Sequence, residues 1–139
     1  DFAYPMDSYA KTCALVRSKK NFSIQLKMKH GHIFDFPEFF LFVDQYILNG
    51  TPMPEVARPV IKKNKVAALV KAETALVDAK LYYTTAPHDQ NRSRTWEIVD
   101  LAINGNRIHG DAPPKDAKVW YVAVRDERKA TASSELIVP

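Results

Sequence analysis

Short alternations of apolar and polar residues, separated by turn sequences, fill the second half of the chain and restrict its fold more than any other feature. From residue 65 onward, these segments are rich in Val, Ile, Tyr, Trp and Thr. A period of two is typical of strands that bury one face. The turns between them read "NGN", "APPKDA" and "DERK". The pattern predicts a small antiparallel β-sandwich over residues 59–139.

About seven strands at this spacing favour an immunoglobulin- or fibronectin-III-like arrangement. Asn104-Gly105 is a strong two-residue hairpin signal, so residues 95–103 are predicted to pair with residues 107–111. Trp96 and Trp120 alternate in phase with apolar neighbours, which predicts core anchors rather than a platform that stacks on a carbohydrate. Tyr82 and Tyr83 fall on opposite faces of one strand.

The first 50 residues follow a different pattern. Met6, Tyr9, Cys13 and Val16 recur at three- and four-residue spacing, which predicts a helix with one apolar stripe. Cys13 lies on that stripe and is interpreted as a small buried hydrophobe. Residues 22–28 alternate and predict a strand near a sheet edge. The unit is therefore predicted as helix, strand, histidine loop, helix, which needs a sheet to lie on.

Asp35 is predicted to cap the second helix, with Glu38 at capping-box spacing and Pro37 in the first turn. Asn49-Gly50 is predicted to end that helix. Its apolar residues predict a buried face made of Phe39, Phe40, Val43, Tyr46 and Ile47. The proline-rich "TPMPEVARP" that follows predicts a stiff linker. The fold class is thus α+β, with one unit over residues 1–55 and a β-sandwich over residues 59–139.

Composition excludes several functions. The net charge of +4 comes from 20 basic and 16 acidic residues mixed along the chain. Aromatic residues are not interleaved with basic ones, so no nucleic-acid partner is expected. No apolar run approaches the roughly 20 residues that span a bilayer, so no membrane partner is expected either. A single cysteine excludes an intrachain disulfide. The opening "DFAYP" lacks an initiator methionine and predicts a cut chain.

The stretch "MKHGHIFD" permits three interpretations. A metal site is disfavoured, because Asp35 comes one residue too late for an H-x-H-x-D pattern, and His88 and His109 lie far along the chain. No metal or other cofactor is therefore expected. A second interpretation makes both histidines solvated loop residues, with Asp35 as a helix cap. The third makes one of them a catalytic base, His32 rather than His30, because a glycine directly precedes His32.

A family resemblance supports the third interpretation. Two segments carry it, "DFAYPMDSYAK" and "MKHGHIFDFPEFFLFVDQYILNGTPMP". They resemble the C-terminal end of the α/β-hydrolase fold, in its dienelactone hydrolase and acetyl-xylan-esterase-like branch. The resemblance covers residues 1 to about 55. It implies Asp1 as the catalytic acid and His32 as the base, in the triad order nucleophile, acid, histidine.

The nucleophile of that family is missing. It lies in G-x-S-x-G, upstream of the acid, and none of the four glycines here brackets a serine. The chain alone is therefore expected to be inactive. The serine must come from a missing N-terminal part of the hydrolase domain or from another chain.

The second half carries its own resemblance. The segments that carry this resemblance are "AKLYYTT" and "SRTWEIVDLAINGNRIHGDAPPKDAKVWYVAVRDERKATASSE", together with their spacing. They resemble the β-sandwich appended to PhoPQ-activated-type and related bacterial hydrolases. Relatives often place glycine in the turn where this chain has residues 126–129. The resemblance favours a periplasmic or secreted location, which the residues themselves leave unknown.

Together these observations predict the C-terminal portion of a serine-type α/β hydrolase, an esterase whose substrate is an ester, with carbohydrate esters among the candidates. The alternative is a non-catalytic β-sandwich module that binds carbohydrate or protein. The uncovered apolar faces of the first half predict either a homodimer of the chain or helices buried on its own sandwich.

Overall fold

The computed structural model describes residues 6–87 and 94–138, except for the Asp7 side chain. In this part of the chain, two helices and a short 3₁₀ helix, Ile33–Asp35, precede nine strands. The helices are α1 (Met6–Leu15) and α2 (Pro37–Ile47). The strands are β1 (Glu55–Val56), β2 (Val60–Lys62), β3 (Lys65–Lys71), β4 (Leu76–Thr84), β5 (Glu97–Asp100), β6 (Ala102–Asn104), β7 (Arg107–Asp111), β8 (Val119–Asp126) and β9 (Thr131–Ser133).

The strands form two antiparallel sheets, as the alternating pattern predicts. One sheet has the order β1-β3-β7-β6, with β2 also paired to β3, and the other has the order β5-β4-β8-β9. Apolar residues from both sheets form a single buried cluster that includes Val66, Leu81, Ile108, Trp120 and Val122. This arrangement fits a β-sandwich. Neither helix is long and apolar enough to span a membrane, as far as the described residues go.

The chain changes sheets at Leu101. The predicted single strand over residues 95–103 is wrong, because β5 belongs to the four-stranded sheet and β6 to the five-stranded one. At the crossing, the Leu101 amide donates to the Ala79 carbonyl at 2.8 Å, and its side chain lies against Gly110. The predicted hairpin is confirmed, but Asn104 pairs with Arg107, so the two loop residues are 105 and 106.

β8 is buried on both faces. Trp120, Val122 and Val124 point into the sandwich, which confirms Trp120 as a core anchor. Val119, Tyr121 and Ala123 point to the opposite side, where a second apolar cluster forms. Residues of α1 and of the segment after it cover that side, namely Met6, Tyr9, Ala10, Ile24 and Leu26. The N-terminal part of the chain therefore adds a third layer to the two sheets.

Aromatic rings fill this second cluster. Tyr82 stacks on Tyr121 with ring centroids 4.8 Å apart, and Trp96 meets Tyr121 edge-on at 5.7 Å. Tyr83 packs on the other side of the sheet, against the sandwich core, so the two tyrosines lie on opposite faces as predicted. Burial raises the pKa of the Tyr121 hydroxyl above its usual range. Trp96 is thus a packing residue between layers.

The predicted strand over residues 22–28 is wrong, because the described residues between α1 and the 3₁₀ helix contain no strand. One backbone hydrogen bond, from the Ser133 amide to the Phe22 carbonyl, joins the segment to the edge of β9. Lys27 then takes a positive φ of 59°, which ends the extended conformation. Ile24 and Leu26 still reach the apolar cluster, so the alternation reflects packing without a ladder of hydrogen bonds.

A buried ion pair closes the turn between β8 and β9. The Asp126 side chain is fully buried and accepts a hydrogen bond from Arg128 Nε at 2.8 Å, while Arg128 Nη2 lies 2.7 Å from the same oxygen as an ion-pair contact. It also accepts from the Thr74 hydroxyl and from the amides of Arg128 and Ala130. These donors belong to the β8–β9 turn and to the β3–β4 connection. The Asp126 carboxylate therefore holds the turn and the connection together.

The same arginine reaches the proline-rich segment. Arg128 donates from Nη1 and Nη2 to the backbone carbonyls of Thr51 and Pro52. Met53 and Pro54, which follow, are buried. Lys129 takes a φ of 68°, at a turn where the resembled family often has glycine. The segment after α2 is therefore pinned to the β8–β9 turn.

Candidate functional site

The histidine loop ends at an exposed His–Asp pair. His32 Nδ1 lies 2.6 Å from Asp35 Oδ2, with side-chain exposures of 49% and 65%. Both residues belong to one turn of the 3₁₀ helix, in which residues three apart lie on the same side. Gly31, with a φ of 81°, lets the chain reverse before His32, whose amide donates to the Lys29 carbonyl. Local geometry alone thus brings the two side chains together.

This contact replaces the predicted helix cap. The residue that caps α2 is Phe36, and it makes no side-chain capping bond, so the assignment of Asp35 as the cap is wrong. Pro37 does occupy the first turn, and Asn49 ends the helix with a φ of 54°, both as predicted. Sequence reasoning missed Asp35 as the partner of His32, although their spacing of three residues in a loop before a helix was a usable signal.

The pair can prepare an imidazole for proton transfer. When the neutral ring carries its proton on Nδ1, that proton is donated to Asp35 and the lone pair lies on Nε2. Within the described residues, His32 Nε2 makes no hydrogen bond, so a hydroxyl or water could approach it. A carboxylate beside the ring also stabilises the imidazolium that forms when the ring accepts a proton.

The other candidate residues lie outside the described residues or in another part of the fold. Asp1, the predicted acid, and His88 lie outside the described residues, so the Asp1–His32 dyad stays a prediction. His109 lies on β7, in the five-stranded sheet. None of the described serines is hydrogen-bonded to His32, and the described residues contain no cluster of three or more His, Cys, Asp or Glu able to hold a metal ion.

α2 presents its apolar residues to solvent. The predicted buried face is wrong, because Phe40 is 55% exposed and Ile47 is 72% exposed. The side toward the sandwich carries Glu38 and Gln45 instead. Glu38 Oε1 accepts from the Thr131 amide at 2.6 Å and from Gln25 at 3.0 Å. One hydrogen bond of Glu38 therefore joins α2 to β9, and the 3₁₀ helix with His32 directly precedes α2.

A cleft of about 300 Å³ lies between the segment after α1 and the edge of the five-stranded sheet. Phe22, Val56 and Leu69 give it apolar walls, and Lys71 contributes an ammonium group. Asn21 also lines it, and its side-chain nitrogen is buried without a hydrogen-bond partner in the described structure. These features suit a small ligand with an apolar face and a hydrogen-bond acceptor.

Comparison with protein families, with curated proteins and with solved structures gave no match for this chain. The two resemblances described from the sequence therefore stay predictions.

Proposed function

We propose that this chain is the C-terminal portion of a serine-type α/β hydrolase, an esterase, to which it contributes a histidine base. One observation carries the proposal: the contact of 2.6 Å between His32 Nδ1 and Asp35 Oδ2 on an exposed loop, with no hydrogen bond to Nε2 from the described residues. A carboxylate on Nδ1 and an open Nε2 are what a histidine needs to activate a hydroxyl.

In the proposed reaction, a serine hydroxyl from the nucleophile-bearing part of the hydrolase donates its proton to His32 Nε2 while its oxygen attacks the ester carbonyl. The imidazolium then gives that proton to the departing alkoxide, which leaves an acyl-serine ester. Water, deprotonated by the same nitrogen, attacks the acyl group and restores the serine. Residues of this chain would supply the proton acceptor and its carboxylate.

The decisive experiment measures p-nitrophenyl acetate hydrolysis by the longer protein that the proposal implies. His32→Ala is expected to lower kcat by about 10⁴-fold or more, since the loss of a triad member has effects of this size. His109→Ala is the matched control and is expected to leave kcat unchanged. Equal rates for the wild type and His32→Ala would remove His32 as the base.

Two carboxylates are candidates for holding the ring. The family resemblance favours Asp1, and the geometry of this chain favours Asp35. Asp1→Asn and Asp35→Asn in the same protein separate them, because replacing the carboxylate that fixes the tautomer costs about 10⁴ in kcat. Finding the loss in only one of the two variants identifies the acid, and finding it in neither overturns the carboxylate-supported base.

We further propose that residues 1–55 belong to an α/β-hydrolase sheet and that the two antiparallel sheets are an immunoglobulin- or fibronectin-III-like accessory domain. The order of α1, the histidine-bearing loop and α2 is the order expected from the resemblance, and this supports the first assignment. The two antiparallel sheets around a shared core support the second.

A non-catalytic function remains as a second proposal, and the cleft beside Phe22 favours it. A sandwich that binds carbohydrate would use an aromatic ring with flanking polar groups. Calorimetric titration with a xylo-oligosaccharide tests it directly. Binding that is lost in Phe22→Ala and retained in the control Ile98→Ala would support the module, and no heat of binding would exclude this class of ligand.

A further inference from the structure

The apolar side of α2 faces solvent, and its opposite side faces the rest of the chain. Its inward side bears Glu38, Leu41 and Gln45, and Gln45 accepts a hydrogen bond from the Met53 amide at 3.0 Å. At 3.6 residues per turn, the opposite side is a continuous apolar arc of roughly 160°. We call this arc, together with Phe34 before it and Leu48 after it, the α2 surface. Its residues are Phe34, Phe39, Phe40, Phe42, Val43, Tyr46, Ile47 and Leu48, all of them exposed.

The α2 surface is large for a free face. Taking about 200 Å² for a fully exposed large apolar side chain, its exposed fractions correspond to roughly 800 Å². The largest apolar patch on a typical monomer covers about 300–600 Å². A stable protein–protein interface buries about 800 Å² on each partner. The α2 surface thus has the size of one half of such an interface.

The chemistry of the surface favours a second copy of this chain. No charged side chain lies within the apolar arc: Glu38 is buried on the inward side, and Asp44 lies at the border of the arc. Two identical charge-free faces meet without like-charge repulsion, and a two-fold axis closes the contact after two copies. Aromatic residues, which dominate this arc, are enriched at such interfaces.

We propose that two copies of the chain pair through the α2 surface to form a symmetric dimer. The polar tether from Glu38 to β9 holds each helix with this surface outward, so dimerisation needs no rearrangement of the sandwich. Ile33 and Phe34 follow His32 directly, so the histidine loop lies at the rim of the interface. The inference uses only the apolar surface and none of the groups of the proposed catalytic site.

Analytical ultracentrifugation of the chain over about 1 to 100 µM tests the proposal. The wild type is expected to sediment as a dimer. Phe40→Asp and Ile47→Lys each place a charge in the contact and are expected to weaken dimerisation by at least about 100-fold. Ile98→Lys is the matched control: Ile98 is 53% exposed on β5, at the sheet edge opposite β9, and this variant is expected to remain dimeric.

Circular dichroism of each variant establishes that the sandwich still folds, since substitution on an exposed surface should leave the strands intact. A wild-type chain that stays monomeric throughout the concentration series would overturn the dimer, as expected if a nucleophile-bearing segment is the true occupant. Open-ended association would also overturn it, because the two-fold contact closes at two copies. The proposal would also be overturned if Ile98→Lys weakened dimerisation as much as Phe40→Asp and Ile47→Lys do.

Discussion

Removing the Asp126 carboxylate is the sharpest test of what holds this fold together. The change Asp126→Ala leaves the Arg128 guanidinium without its buried anion. It also leaves the Thr74 hydroxyl and the amides of Arg128 and Ala130 without an acceptor. Breaking a buried ion pair from one side costs about 3–5 kcal/mol. Because the Arg128 side chain is 22% exposed and can regain some water, we expect about 3–4 kcal/mol.

Urea denaturation followed by circular dichroism measures this loss as a lower midpoint at constant m-value. Thermal unfolding should show a fall in Tm of roughly 10–15 °C for a chain of this size. Asp111→Ala is the matched control, since Asp111 pairs with Lys65 on the surface, and it is expected to cost less than about 1 kcal/mol. Similar losses for the two variants would refute the reasoning.

A double-mutant cycle extends the test. Arg128→Ala alone leaves the buried Asp126 carboxylate without its cation. It also removes the hydrogen-bond donor to the carbonyls of residues 51 and 52. The double variant is expected to lose at least about 1.5 kcal/mol less than the sum of the single losses, because each single change already removes the shared interaction. Simple additivity would show that the ion pair contributes nothing as a pair.

Three further results are expected. Gly110→Ala should destabilise the chain by about 1–3 kcal/mol in the same denaturation assay, since the added methyl would lie 2.5 Å from the Leu101 side chain; no change would mean that the crossing is loosely packed. Lys129→Gly should stabilise it by about 1 kcal/mol, because glycine adopts the positive φ of this turn without strain; a loss would contradict this. In ¹⁵N NMR spectra at neutral pH, His32 should carry its proton on Nδ1, and Asp35→Asn should move it toward Nε2; identical spectra would exclude the tautomer assignment.

The sequence predicts the strands of the sandwich well because period-two alternation reports directly which face of a strand is buried. β3, β4, β7 and β8 all lie in the half of the chain for which the pattern predicts strands. The crossing at Leu101 escapes this reasoning, since residues 97–104 are rich in strand-forming residues on both sides of the point where the chain moves from one sheet to the other. The pairing of β5 with β4 and of β6 with β7 is what distinguishes a crossing from one continuous strand.

α2 shows a second limit of sequence reasoning. Helical periodicity correctly identifies its apolar side, but periodicity does not state what that side contacts. Its orientation is decided by Glu38, which reaches the Thr131 amide 93 residues further along the chain. The candidate site is likewise predicted only in part. His32 is in the loop where it is expected. Its contact with Asp35 depends on local backbone dihedrals, which a helix-capping rule does not describe.

The double burial of β8 has a consequence for how the polypeptide can be divided. A cut within the proline-rich segment, which the sequence favours as a boundary, would strip the outer face of β8 and leave Val119, Tyr121 and Ala123 in water. It would also remove the carbonyls that Arg128 holds. An excised sandwich would therefore be a poor autonomous domain, so excision and fusion experiments should retain residues 6–54 together with the strands.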